Sequence, residues 1–382
     1  MTVLIIGLIL FVFIVISFFY ILKKRSLEKN LVITHRKSIL FEEKSFKKQT
    51  LVTDNPIEQN YDIQEKPLPE IFIKRNSDLI WEGTYVPFTL DKLSENLEVD
   101  LKSKIKEIPP LPNAAHRLIS VISDITVSTK TVTEIVSADP VLAGKLLQLV
   151  NSSYYGVSKE VKSVGRAIIL LGYNTVKNFV LQNNLARVMP VLNNDILSMD
   201  QFWIHSLASS TIAHHIATQT SNMNTDPGSI STIALLHDIG KLALALWKPE
   251  DFRKYRNEVI QSKTALPIMT EEKTFGLHHA LIGYLLAESW KLPTDLCQVI
   301  LYHHHPTFVN PEKIPDDLSK SVTIIHFSNI LSKLCGLWVD NDSVAGTRDD
   351  YYNLINKKPP IENLIEPKLI KEILKIKSFI SP

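Results

Sequence analysis

The chain has 382 residues, of which 45% are hydrophobic and 21% charged, with a formal net charge of +2. That length suits one large or two smaller domains and excludes disorder throughout, while 12 glycines and 20 prolines argue against a turn-dense all-β protein and for long helices. Two cysteines, Cys297 and Cys335, exclude a disulfide scaffold and a zinc site of four thiolates.

Taken in chain order, Val3 to Leu22 is an uncharged run of about 20 residues, which as a helix spans roughly 30 Å and is long enough to cross a bilayer. Lys23, Lys24 and Arg25 follow it and no basic residue precedes it, which predicts a single-pass inner (plasma) membrane protein with its N-terminus outside and its main domain in the cytoplasm. A cleaved signal peptide is disfavoured, because there is no basic n-region and no small-residue cleavage site. Residues 23–48 carry nine basic against three acidic groups. They suit anionic lipid head groups, or else serve to set topology and keep the linker solvated. From Gln49 to Glu107 twelve acidic groups outnumber seven basic ones, and Pro56, Pro67 and Pro69 interrupt the run. The composition predicts a mostly extended acidic stalk, with residues 23–100 as the linker. The basic stretch has only Phe41 and Phe46 as aromatics, which gives nucleic-acid binding little support.

Beyond Glu107 the period becomes helical. IPPLPNAAHRLISVIS places Leu118, Ile119 and Ile122 at three- to four-residue spacing. In SADPVLAGKLLQLVNSS, Asp139 is set to cap, Pro140 suits the first helical position, and Val141, Leu142, Leu146, Leu147 and Val150 form an apolar stripe. VGRAIILLGYNTVKNFVLQ reads as two helices broken near Gly172 and Asn174. No glycine-rich nucleotide loop interrupts the series, and no G-x-S-x-G elbow or cysteine nucleophile motif occurs.

The phrases IPPLPNAAHRLI, ADPVLAGKLLQLVNSSYYG, VGRAIILLGYNTVKNFVL, FWIHSLASSTIAHHIA, ALLHDIGKLAL, FGLHHALIGYLLAESWKLP and ILYHHHP follow one another over residues 107–306. In that order they resemble the HDOD domain, a bacterial signalling module related to the HD phosphohydrolases. The resemblance implies an all-α, two-lobed domain whose second lobe has an HD-type helical core. The expected division is a transmembrane helix at 1–22, the linker at 23–100, an N-terminal helical lobe at 101–190, an HD-like lobe at 191–335 and a C-terminal helical extension at 336–382. From Pro306 to Pro382, helices are expected at about 317–337 and 366–379.

Ten of the twelve histidines fall between His205 and His326. His237 and Asp238 end the apolar stretch STIALLHDIGK, where an imidazole and a carboxylate can turn to one divalent cation, and Gly240 leaves room for a close approach. His205 shares a helix face with Ala208, Ser209, Ile212 and Ile216; His279 lies with Ile282 and Leu286, and His303 and His304 end a helix. His214, His215, His278 and His305 read as surface or supporting residues. Resemblance to the HD superfamily implies metal ligands at His205, His237 and Asp238 with a late aspartate, and additional ligands at His279, His303 and His304 where two metals bind. The late aspartate falls on Asn329, which can still coordinate through its amide oxygen but removes a negative charge. One divalent metal (Mn, Fe, Mg or Zn) is therefore expected in preference to two, against the alternative of a relict cluster held by internal hydrogen bonds. With a metal, Asp238 and Lys241 are the candidates for phosphoester hydrolysis, Lys241 facing developing phosphate charge. Lys241 reads equally as a cation placed favourably at a helix end. The Gly-Tyr-Pro loop of the HD-GYP cyclic-dinucleotide phosphodiesterases is missing after HHHP. Two functions follow: a binding or scaffolding module in signal transduction, with other signalling proteins and a possible second copy as partners, and a metal-dependent phosphohydrolase acting on a nucleotide or other phosphoester.

Overall fold

The structure is a computed structural model that describes residues 88–376 apart from short internal stretches, of which 120–128 and 338–346 are the longest. The apolar run at 3–22 and the linker up to residue 87 lie outside the described residues, as do Leu118, Ile122 and part of the tail beyond residue 366. Among the described residues there is no strand, so the fold is all-α.

The body begins earlier than composition suggests. A 3-10 turn at Leu90–Lys92 leads into α1, Glu95–Glu107, within the stretch expected to be extended. The reason is local: Leu101 and Ile105 stand one turn apart and bury fully, the Leu97 N–H donates to Ser94 Oγ at the N-cap, and Glu98 pairs with Lys102 at 2.6 Å. An acidic average hid an amphipathic helix.

The first lobe holds α2 (Thr129–Ser137), α3 (Pro140–Val150), α4 (Val164–Leu171) and α5 (Tyr173–Val188). Asp139 Oδ1 accepts from the Val141 and Leu142 amides ahead of Pro140, and Arg187 of α5 pairs with the same carboxylate. Leu142, Leu146 and Val150 bury as expected, but Val141 is 59% exposed, because it sits off the stripe at the first turn. Gly172 separates α4 from α5 with φ +80°, a conformation that favours glycine.

The second lobe comprises α6 (Met199–Gln219), α7 (Pro227–Leu236), α8 (Ile239–Trp247), α9 (Pro249–Ser262), α10 (Pro267–Phe275), α11 (His279–Ser289), α12 (Thr294–Tyr302) and α13 (Ser319–Leu334), followed by α14 (Asp349–Leu354). Helix α6 packs along α7 and α13, and α11 packs between α8 and α12. Asn178 of α5 donates to Ser210 Oγ at 2.8 Å and to Ser231 Oγ at 3.2 Å, a buried polar seam joining the lobes. The run Pro227–Trp247 is long and apolar enough to cross a membrane, with mean hydropathy 1.4, yet 89% of it is buried inside the body. It is α7 and α8, hydrophobic all round because helices surround it.

The crossing of α8 and α11 sets the site. A Cβ at Gly240 would lie 1.8 Å from the His279 carbonyl oxygen and 2.7 Å from the Gly283 nitrogen, so only glycine lets the two backbones approach this closely. The room at Gly240 is thus filled by a neighbouring helix. It brings Asp238, at the start of α8, against His279, at the start of α11.

Candidate metal centre

Asp238 lies at the centre of the cluster. It occupies the N-cap position of α8, where an aspartate ordinarily accepts from the helix amides, but its side chain makes no capping bond and turns inward instead. Five nitrogens ring the carboxylate. His279 Nε2 lies 3.1 Å and His303 Nε2 3.6 Å from Oδ1; His205 Nε2 at 3.5 Å, His237 Nε2 at 3.6 Å and Lys241 Nζ at 2.9 Å face Oδ2. Asp238, His205, His237 and His303 have no exposed surface and His279 has 1%.

Proton positions follow from the surrounding hydrogen bonds. His237 Nδ1–H donates to the Ala234 carbonyl and His303 Nδ1–H to the Ile300 carbonyl, both at 2.7 Å. Carbonyls only accept, and burial pushes both imidazoles down to about 3, so each ring is neutral with its lone pair on Nε2. Two lone pairs therefore point at a carboxylate, an arrangement that a cation between them would stabilise. His237 Nε2 has no hydrogen-bond partner among the described residues.

His279 differs. Glu271 Oε2 accepts from both its Nδ1–H, at 2.6 Å, and its backbone N–H, at 2.8 Å, while Tyr255 O–H donates to Glu271 Oε1 at 3.0 Å. Burial opposes charge on this ring, but Glu271 on one side and Asp238 on the other raise its pKa. Burial likewise opposes ionisation of Glu271, and His279 outweighs it, holding that carboxyl below its usual range. For Asp238 the burial penalty is overcome by the cationic neighbours Lys241 and His279, and its carboxyl titrates well below the usual carboxylate range. Burial, then His303 and His279, push His304 far down.

Two ligand sets share Asp238: one with His279, His303 and His304, the other with His205 and His237. In the first, His279 Nε2 is 3.3 Å from His303 Nε2 and 3.0 Å from His304 Nε2. A tetrahedral zinc with ligands at about 2.0–2.1 Å holds its donor atoms roughly 3.3–3.4 Å apart. The separations in this set lie close to that edge length, so its residues fit a small divalent ion. In the second set Lys241 already places a positive charge on Oδ2. Asn329, on α13, is 2% exposed with its Oδ1 unpartnered among the described residues, and Ser332 one turn later lies 3.0 Å from His205 Nδ1.

Sequence reasoning overlooked Glu271, an acidic residue on the buried side of α10. Its only trace is a carboxylate eight residues before a histidine within TEEKTFGLHH. In the sequence His326 is only the last member of the histidine cluster. Its Nδ1–H donates to the His303 carbonyl at 3.0 Å and its Nε2 lies 2.9 Å from Thr347 Oγ1, so it braces the turn that carries His303 and His304. His278 and His305 are buried, not surface residues.

The HDOD domain model matches residues 108–306. An uncharacterised protein of Treponema pallidum (strain Nichols) is 24% identical over 234 residues, 61% of this chain, and the chain spans 44% of that relative's length. Among solved structures, an HDOD domain protein of unknown function from Geobacter sulfurreducens is 22% identical with a TM-score of 0.57, over 74% of this chain and 98% of that one. A proposed signal transduction protein from Marinobacter aquaeolei VT8 is 20% identical with a TM-score of 0.60, over 74% of this chain and 64% of that one. A proposed phosphohydrolase from Shewanella amazonensis SB2B is 24% identical with a TM-score of 0.54, over 74% and 98%. At these identities the structures share the fold. With the family match covering just over half its length, the chain belongs to the HDOD domain family.

Proposed function

We propose that this chain is a signal-transduction HDOD module, held at the cytoplasmic face of the inner membrane by residues 3–22, that works by binding partner proteins around one buried divalent metal. The observation that carries the metal is the pair of neutral imidazoles, His237 and His303, whose lone pairs converge on the Asp238 carboxylate. Asp238, His279, His303 and His304 would hold it, with Glu271 orienting His279 as carboxylates orient metal-bound histidines elsewhere. Three imidazoles and one carboxylate suit Zn2+, Fe2+ or Mn2+ better than Mg2+, which prefers oxygen ligands and water. A scaffolding role fits the burial of Asp238, His279 and His303, which leaves the half-buried His304 as the ligand nearest solvent.

A metal-dependent phosphohydrolase is the second reading, favoured by Lys241 at 2.9 Å from Asp238. There the metal would supply a water of lowered pKa, and Lys241 would hold phosphate charge. The experiment that separates the two is a screen of nucleotide and phosphoester substrates with added Mn2+, Fe2+, Mg2+ or Zn2+, run beside a His237→Ala, Asp238→Ala double variant. No turnover in either protein is expected; turnover that the double variant loses would overturn the scaffold.

A further inference from the structure

Two doublets frame the turn between α10 and α11: Glu271 and Glu272 before it, His278 and His279 after it. The chain reverses at Gly276, where φ is +83°. The side chains divide between two faces. Glu271 and His279 join each other inward, beside Asp238. Glu272 and His278 turn outward onto one residue, where the Phe88 N–H donates to Glu272 Oε1 at 2.6 Å and His278 Nε2–H donates to the Phe88 carbonyl at 2.9 Å. His278 Nδ1 meanwhile accepts the Leu281 N–H at 3.3 Å, which assigns the ring proton to Nε2. Glu272 is 2% and His278 1% exposed. A buried acceptor and a buried donor thus read both polar groups of a single residue, as a neighbouring strand would.

Phe88 lies ahead of the 3-10 turn at Leu90–Lys92, within the expected linker. Phe88 to Asp91 line a cavity of about 240 Å³ together with His278, Tyr302 and His305. Phe88 and Leu90 pack partly buried against the core, and the two hydrogen bonds fix the register of the segment there. A short segment of this kind opens at lower cost than a helix of the core.

We propose that docking of Phe88 onto Glu272 and His278 holds the Glu271–His279 pair in register, so that release of this segment loosens His279 as a metal ligand. The proposal rests on the metal reading above, and it adds a route by which the linker acts on the centre. Coupling runs both ways: metal at His279 tightens the segment, and the docked segment tightens the metal.

The test uses the full chain in detergent micelles with two variants from opposite sides of one hydrogen bond. Phe88→Pro removes the donated N–H and Glu272→Ala removes its acceptor. Zn2+ affinity is measured by competition with a chromophoric chelator, and hydrogen exchange is followed at the His279 amide, which donates to Glu271. Each variant should lose about tenfold in Zn2+ affinity, the double variant no more than either alone, and His279 should exchange faster even without Zn2+. Affinity within about twofold of the wild type in either variant, or unchanged His279 exchange, overturns the proposal. A wild-type chain that binds no Zn2+ removes the metal reading by itself. Exchange at His279 in metal-free protein then decides alone, faster exchange supporting the coupling and unchanged exchange overturning it.

Discussion

Replacing Gly240 by alanine should damage fold and metal centre together. The new Cβ would stand 1.8 Å from the His279 carbonyl oxygen; an ordinary contact needs about 3.3 Å, so α8 and α11 must separate by roughly 1.5 Å at their crossing. A gap of about 1 Å already forfeits up to half of each dispersion contact across an interface, and both helices are largely buried, with Leu242 and Ala243 on α8 and Ile282 and Leu286 on α11. Overpacking of this kind costs on the order of 3 kcal/mol, which lowers the midpoint of thermal unfolding by about 6 °C or more in a domain of this size. The same displacement pulls Asp238 away from His279, now 3.1 Å apart, and metal affinity should fall with stability. Gly144→Ala is the matched control. It lies within α3, its added Cβ meets nothing within 4 Å, and it should stabilise by about 0.5–1 kcal/mol. Differential scanning calorimetry and chelator competition measure both quantities. A Gly240→Ala protein that melts with the wild type and holds metal equally well would refute the close-approach argument.

The remaining predictions concern the cluster and its surroundings. Glu271→Gln should lower metal affinity by about 10- to 100-fold, read by chelator competition, because the amide cannot hold the His279 proton as a carboxylate does. Asn329→Asp should place an anionic group at this buried, unpartnered position and raise the metal content measured by elemental analysis above that of the wild type; an unchanged content would mean that Asn329 does not face the site. Burial pushes His305 and His326 down to about 3, whereas in the unfolded chain both titrate near 6.5, the ordinary imidazole value. Between those values the unfolded state binds more protons, so stability falls as pH drops, with a slope that approaches about 1.4 kcal/mol per unit per residue, or roughly 3 kcal/mol for the pair from pH 6.5 to 5. His305→Phe, within the aromatic surroundings of Tyr302 and Phe308, should remove one histidine's share of the slope in urea melts, about 1.4 kcal/mol per pH unit, the other buried histidines keeping theirs. Alkaline carbonate extraction should leave the full chain in the membrane pellet and release a chain lacking residues 1–22.

What the sequence made legible was whatever depends on local pattern. The 3.6-residue period of Leu142, Leu146 and Val150, the Asp139–Pro140 cap and the break at Gly172 all depend on neighbours in the chain. His237 and Asp238 could be singled out because they end an apolar run where no polar group belongs without a partner. What escaped depends on register between helices. Nothing in TEEKTFGLHH says which glutamate meets His279 and which meets Phe88, because that is decided by the pitch of α10 and the turn at Gly276. Nor does the sequence say that Gly240 admits a helix; the crossing partner lies forty residues further along the chain. Helix α1 was missed because charge was averaged over a window that mixed linker with helix, and Leu101 and Ile105 carry too little weight in such an average.

The central claim is that the buried cluster holds one divalent metal through Asp238. It is tested most directly by measuring metal stoichiometry by inductively coupled plasma mass spectrometry on the purified full chain, after saturation with Zn2+ and removal of excess, beside Asp238→Ala. The account predicts about one metal ion per chain in the wild type and none in the variant, since both ligand sets share that carboxylate. A metal-free wild type, or an Asp238→Ala chain that retains its metal, would contradict it.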